Sequence, residues 1–345
     1  MPRTDLLKGL GVFGLVVVVV LAGTVATGTL LTGSSTTSNA VNVSAYDSDA
    51  LLPTAVDDDG TVDAPDEADA KTIVIDKSHG NAVSEGEIQP LVDALVRDGH
   101  DVRFYTGGQS QSFGGAGGSS NLNSTLESAD AFVVVNPSST YSESEIDGVE
   151  SFADAGGRVL MLADPVSASQ SQSVSIPLIG SSGGNTVTPG QPTNLAARFG
   201  ISFGSGYLYN MEENANNFQS VFARPVGNDS LASGVDRVVV RDATPLTTST
   251  NVTRVVESDG ARLSSTRRAD AYAVAARVGN VATVGDTDFL APATATVADN
   301  DAFVSNLAQF LVTGDKESNA PATDSAASGP GGITTPSMPG NVSGP

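Results

Sequence analysis

The chain has 345 residues, room for one large domain or two small ones, and its core must come from Val, Ala, Leu and Ile because Trp is absent and aromatics reach only 5%. Acidic residues number 39, of which 28 are Asp, against 17 basic residues, of which 4 are Lys, and the net charge of −22 disfavours nucleic acid as a partner. There is no Cys, which excludes a disulfide, a thiolate nucleophile, a Cys-bound zinc and a lipidated Cys.

The Asp-rich, Lys-poor balance reads as adaptation to salt, where a Debye length of about 3 Å screens the self-repulsion. The alternative is an acidic protein that binds cations or basic partners.

Residues 9–33 carry no charged side chain and centre on Leu15-Val16-Val17-Val18-Val19-Val20-Leu21. A helix of about 20 apolar residues spans a bilayer, whereas the apolar region of a cleaved signal peptide is about 7–15 residues long. The length therefore predicts an uncleaved transmembrane anchor. Arg3 and Lys8 precede it and acidic residues dominate after it, which places 1–8 in the cytoplasm and the rest outside. Leu21-Ala22-Gly23-Thr24 has the form of a lipobox with Thr where Cys would stand, so it cannot act as one. Five Asn-X-Ser/Thr sites follow on the outer side, at Asn42, Asn123, Asn228, Asn251 and Asn341, and could carry glycans.

Residues 34–70 are rich in Ser and Thr, then in Asp, and read as a disordered acidic stalk. Residues 314–345 are rich in Gly, Pro, Ser and Thr and read as a disordered tail with no second apolar span. The folded domain is then 71–313. Within it strands and helices alternate. The spacing predicts a strand at 72–76, a helix at 85–97 with an apolar stripe, and a strand at 101–105. A Gly-rich loop, 107–120, precedes a strand at 131–135, a helix at 143–155 and a strand at 158–162. The second half carries a short helix at 193–199, strands at 238–240, 252–256, 272–278 and 280–284, and a last helix from about 299 to 312. The first part predicts an α/β fold with a mostly parallel sheet flanked by helices, joined by right-handed crossovers. The crowded late strands predict an antiparallel, irregular β-rich extension or a small subdomain.

Three stretches carry a resemblance. They are Ile75-Asp76-Lys77-Ser78-His79-Gly80-Asn81, the segment from Asp130 through Ala155-Gly156-Gly157-Arg158, and Val284-Gly285-Asp286-Thr287-Asp288-Phe289-Leu290. Together they resemble the domain of unknown function 4350 of haloarchaeal membrane proteins, over residues 71–313. That family is similar in fold to class I glutamine amidotransferases and other flavodoxin-like proteins, and to soluble domains of gliding-type transporter auxiliary proteins. The resemblance implies a fold and a compartment, and no particular reaction. Amidotransferases place a Cys at a tight turn after a strand. The nearest equivalent turn holds Ala163 and Asp164, and the chain has no Cys, so that activity is excluded.

Ligands bind parallel α/β sheets at the carboxyl ends of the strands. Asp76, Ser78, His79 and Asn81 fall after the first strand, Asn136 after the third, Asp164 after the fourth, and Asp286 and Asp288 after a late one. If those strands are neighbours, carboxylates and one imidazole converge on a hard cation or a small polar ligand. Each residue also has a plainer role, as a cap of the following helix or turn. His100 lies between helix and strand at the opposite end and reads as structural. A Ser/His/Asp site would use His79 with Ser78, Ser138 or Ser167, yet no Gly-X-Ser-X-Gly elbow surrounds these serines. The Gly-rich loop lacks the Lys-Ser/Thr of a phosphate cradle. No cofactor motif is present. The sequence therefore favours a non-catalytic, membrane-tethered binding or scaffold domain, accessory to a transport or envelope assembly. The alternative is a metal-assisted hydrolase using Asp76, His79, Asp164 and Asp286. A third reading is a passive surface protein on a glycosylated stalk.

Overall fold

Short runs rich in Val, Ile, Leu and Phe build the centre of one sheet. The computed structural model describes residues 56–64, 69–107, 121–166, 190–258 and 260–321. In chain order the early elements are β1 (Thr72–Asp76), α1 (Gln89–Arg97), β2 (Asp101–Tyr105), α2 (Leu122–Leu126), β3 (Ala131–Val135), α3 (Glu143–Asp154) and β4 (Arg158–Leu162). After them come α4 (Thr193–Arg198), β5 (Ile201–Phe203), β6 (Leu208–Tyr209), β7 (Ser220–Pro225), β8 (Val238–Arg241), β9 (Leu246–Thr248) and β10 (Thr253–Ser258). The last are β11 (Arg262–Leu263), β12 (Tyr272–Val278), β13 (Val281–Val284) and α5 (Asn300–Val312).

The order β2-β1-β3-β4-β13 is parallel throughout. From β13 the sheet continues as β12-β10-β7-β8, each pair antiparallel, with β9 and β5 branching from β12. The late strands are thus an extension of the same sheet rather than a separate subdomain; among the described residues only β6 and β11 pair apart from it. The expected mixed α/β architecture with a parallel centre and flanking helices is present. The short strands β5, β6, β7, β9 and β11 and helix α2 are too brief to show a period in sequence.

The sheet is covered on both faces, and the strand alternation sorts its side chains. Ile73, Ile75, Val133, Val135, Leu160, Leu162, Ala282 and Val284 pack in one cluster with α1 and α5. Val74, Phe132, Val134, Val159, Met161 and Val281 pack in another with α2, α3 and α4. The helix predicted at 85–97 is divided: a 3-10 turn spans Glu85–Glu87, and α1 begins at Gln89 with Pro90 in its first turn, where a missing N–H costs nothing. Helix α3 starts in a capping box between Ser142 and Glu145 and ends at Gly156, whose φ of 99° few other residues adopt.

Chain on both sides of 71–313 also packs on the domain. Val62 is buried with the α1–α5 cluster, and the Asp63 N–H donates to Ser305 Oγ of α5. Beyond α5, Glu317 N donates to Ala155 O, and Lys71 Nζ to Gly314 O. The predicted anchor at 9–33, Asn42, Asn341, Ser167 and residues 108–120 lie outside the described residues. Among the described residues no helix is long and apolar enough to cross a membrane.

Of the predicted glycan sites, Asn123 is half-buried, with its Nδ2 donating to Ser144 O and its Oδ1 buried. Asn228 and Asn251 are exposed.

Phe132 is fully buried at the centre of the sheet. Phe132→Ala is expected to cost about 3–5 kcal/mol in denaturant unfolding at fixed salt; a loss below about 1 kcal/mol would contradict a sheet covered on both faces.

Candidate functional site

The polar residues predicted at the strand ends are all at one edge of the sheet, yet they form two groups. Strand parity explains the division. In β1, Ile73 and Ile75 face α1 and α5, so Asp76 falls on the α3 side. In β4 and β13, Leu160, Leu162, Ala282 and Val284 face α1 and α5, so by the same count Asp164 and Asp286 fall on that side. The expected convergence of Asp76, His79, Asp164 and Asp286 on one centre does not occur. Among the described residues no group of three or more His, Asp or Glu is placed to hold a metal ion.

The first group is built around Asp76, which is fully buried. Its Oδ1 accepts from Ser78 N at 3.0 Å and Ser78 Oγ at 2.8 Å. Its Oδ2 accepts from Tyr141 Oη at 2.5 Å and faces His79 Nδ1 at 2.8 Å. Asn81 closes the turn: its Oδ1 accepts from His79 N and its Nδ2 donates to Val135 O. The backbone N–H groups of Ser138 and Ser139 fix the His79 carbonyl from the β3 side. The His79 ring stacks on Tyr141 with centroids 3.8 Å apart, and its Nε2 lies 3.5 Å from Glu145 Oε1. The imidazole is therefore held between two carboxylates.

Burial opposes charge on both partners, but the contacts outweigh it. Burial pushes Asp76 up, while the bonds from His79 and Tyr141 and the His79 charge bring it below the usual carboxylate value. Burial pushes His79 down, while Asp76 and then Glu145 bring it above the usual imidazole value. Tyr141 stands well above the usual phenol value because it is buried and beside the Asp76 charge, so it remains a donor. Tyr105, at the end of β2, is also raised, by burial and then by Glu145 and Asp76.

The second group centres on Asp164. Its Oδ1 accepts from Thr287 N at 2.8 Å, and its Oδ2 from Thr287 Oγ1 and Asn136 Nδ2, each at 2.6 Å. Asn136 Oδ1 in turn accepts from Asp164 N. Asn136 sits at φ 44°, a left-handed turn that Asn tolerates better than most residues and that brings its side chain across to Asp164. Asp286 is fully buried, with Oδ1 accepting from Asp288 N and Oδ2 from Arg241 N. Burial, then the charges of Asp164 and Asp288, drive its pKa well above the usual value. Asp288 and Asp242 are also raised, first by burial, with Arg241 acting against the shift.

This geometry does not form a nucleophilic triad. Ser78 Oγ lies 3.0 Å from His79 Nδ1, the same nitrogen that faces Asp76, whereas a triad needs serine and carboxylate on opposite ring nitrogens. Ser138 Oγ donates to Gly80 O. His100 is buried at the other end of the sheet and accepts from Lys71 N, as its structural reading requires.

Tyr141, Glu145, Thr287, Arg241 and Asp242 were not among the residues singled out from sequence. A signal existed for the first two, since Ser142 and Glu145 spell a capping box that starts a helix at this same edge.

The sequence matches no family model and no curated protein. Solved structures do resemble the fold. The first, titled the mmIFT52 N-terminal domain, has a TM-score of 0.51 at 12% identity, covering 71% of this chain and 99% of that one. A glutamine amidotransferase from Thermotoga maritima has a TM-score of 0.38 at 11% identity, covering 70% of this chain and 97% of that one. A cytoplasmic protein from Salmonella typhimurium has a TM-score of 0.37 at 10% identity, covering 70% and 98%. At such identities the first likeness speaks for the fold alone, and the other two bear no further weight.

The pair Asp76–His79 sets a dependence of stability on pH. His79 is raised in the fold, so its contribution is complete below the unfolded value of 6.5 and is lost as pH rises through the folded value. Asp76 is lowered, so its contribution is complete above 3.8 and is lost as pH falls through the folded value. His79→Ala is expected to lose about 3 kcal/mol near pH 6 and markedly less near pH 9, measured as the wild-type-minus-variant difference in unfolding free energy. A difference that does not vary with pH would contradict the assignment.

Proposed function

We propose that the chain is a non-catalytic binding or scaffold domain, held outside the cytoplasm by residues 9–33 and accessory to a membrane transport or envelope assembly. The observation that carries this reading is the use made of His79. Its Nδ1 is bonded to Asp76, its Nε2 faces Glu145, and no hydroxyl nucleophile among the described residues stands at Nε2. A general base needs a free lone pair aimed at the proton it takes. An imidazole with each ring nitrogen turned to a carboxylate, both of which favour its protonated form, has neither lone pair free for a substrate. The absence of Cys removes the other common nucleophile.

The apolar span, the basic residues before it and the acidic ones after it support the topology. The exposed Asn228 and Asn251 suit an outer face. Ser78, Asn81, Asn136 and Asp288 border the strand ends and are the side chains through which a polar ligand would be felt there. The hydrolase alternative has less support, because its four residues divide between the two faces of the sheet.

Purification of the tagged full chain from source membranes, in high salt, tests the reading. A stoichiometric membrane ATPase or permease is expected to accompany it, and to remain with a His79→Gln variant. Recovery of the chain alone would contradict the proposal, as would a hydrolytic activity that His79→Gln abolishes.

A further inference from the structure

The edge of the sheet opposite Asp76 holds a polar cavity lined by two arginines. Arg158 opens β4 and Arg277 lies near the end of β12. Both guanidinium groups lie over the Phe310 ring of α5, at 5.1 and 5.2 Å from its centroid. With Ser230, Gln309 and Thr313 they line a cavity of about 160 Å³.

The hydrogen bonds leave much of this charge unanswered. Arg158 Nη1 donates to Asn280 Oδ1 at 2.6 Å and Nη2 to Thr313 O at 3.2 Å. Its Nε is buried and has no partner. Arg277 Nε donates to Gly279 O, and Nη1 to Asp229 Oδ1 and Ser230 Oγ. Its Nη2 has no partner among the described residues. Each guanidinium carries five N–H donors, so several remain unused. The only carboxylate that meets either group among the described residues is Asp229, 3.3 Å from Arg277.

A structural role accounts for part of this. Arg158 caps the carbonyl end of α5 through Thr313 O, where a cation is favoured. Arg277 is held by Gly279 O, Asp229 and Ser230, yet among the described residues these partners leave its Nη2 and the Arg158 Nε unmatched, with two like charges in one small space. The crowding is felt: burial, then the charge of Arg277, lower the pKa of Arg158.

We propose that this cavity binds a small inorganic oxyanion of the phosphate or sulfate type, held by Arg158 and Arg277. The planar fork of a guanidinium matches two oxygens of such an anion. Ser230 accepts from Arg277 and keeps its own hydroxyl proton for the anion. A water occupies about 30 Å³, so the cavity has room for a tetrahedral oxyanion in place of several waters. The site lies away from the Asp76 and Asp164 groups and does not depend on their role.

Calorimetric titration of the full chain with inorganic phosphate, at fixed molar sodium chloride, tests the proposal. One phosphate per chain is expected, and Arg277→Gln is expected to weaken binding by about ten- to a hundredfold. Arg277→Gln could unfold the chain, so Gln309→Glu serves as the second variant: it keeps both arginines and brings a carboxylate to the cavity. It is expected to abolish phosphate binding and to raise the melting temperature measured without phosphate. No binding by the wild type up to about 10 mM phosphate would overturn the proposal. Binding that both variants leave unchanged would do so too, by marking an adventitious ion only.

Discussion

A strand covered on both faces sends successive side chains into different layers, and most of what is distinctive here follows from that constraint. The parallel centre of the sheet is buried beneath α1 and α5 on one side and α2, α3 and α4 on the other. A polar residue one position past a strand end must join one layer or the other. Asp76 joins the α3 layer, where it meets Tyr141 and, through His79, Glu145. Asp164 and Asp286 join the opposite layer and meet Thr287, Asp288 and Arg241. Residues that lie close in a list of strand ends are thus kept apart in chemistry.

The two groups solve the problem of a buried carboxylate differently. The ionised form of Asp76 is favoured by donors on both oxygens and by the His79 imidazole, an arrangement that stabilises only while it is complete. Asp286 has two backbone donors and further carboxylates nearby, so burial favours its neutral form. In a chain with a net charge of −22, like-charge crowding is the ordinary condition and a well-placed cation the exception. The cavity of Arg158 and Arg277 reverses that condition at the far edge of the sheet.

Much of the fold was legible in sequence because the central strands are uninterrupted apolar runs and the longer helices carry apolar stripes. The strands at 72–76, 101–105, 131–135 and 158–162 coincide with β1 to β4, residue for residue. The antiparallel extension was only partly legible, since strands of two or three residues such as β6 and β9 have no period to read. The site residues were legible as strand-end polar groups, but their grouping was not drawn from the alternation, although the parity of Ile73, Ile75, Leu160 and Leu162 contained it. Tyr141 was hidden because an aromatic before a helix cap reads as packing. Asn123 matched a glycan site in sequence, and only the packing of α2 on α3 shows its amide to be engaged.

His79 is a structural partner of Asp76 that favours its protonated form, set apart from the acidic group across the sheet. The chain has only 2 histidines, so an NMR titration of the imidazole nitrogens reads His79 directly. His79 is expected to titrate above the usual imidazole value with its proton on Nδ1, to shift downward in Glu145→Gln, and to be unmoved in Asp164→Asn. A His79 that titrates at or below the usual value, or that follows Asp164→Asn, would contradict that role.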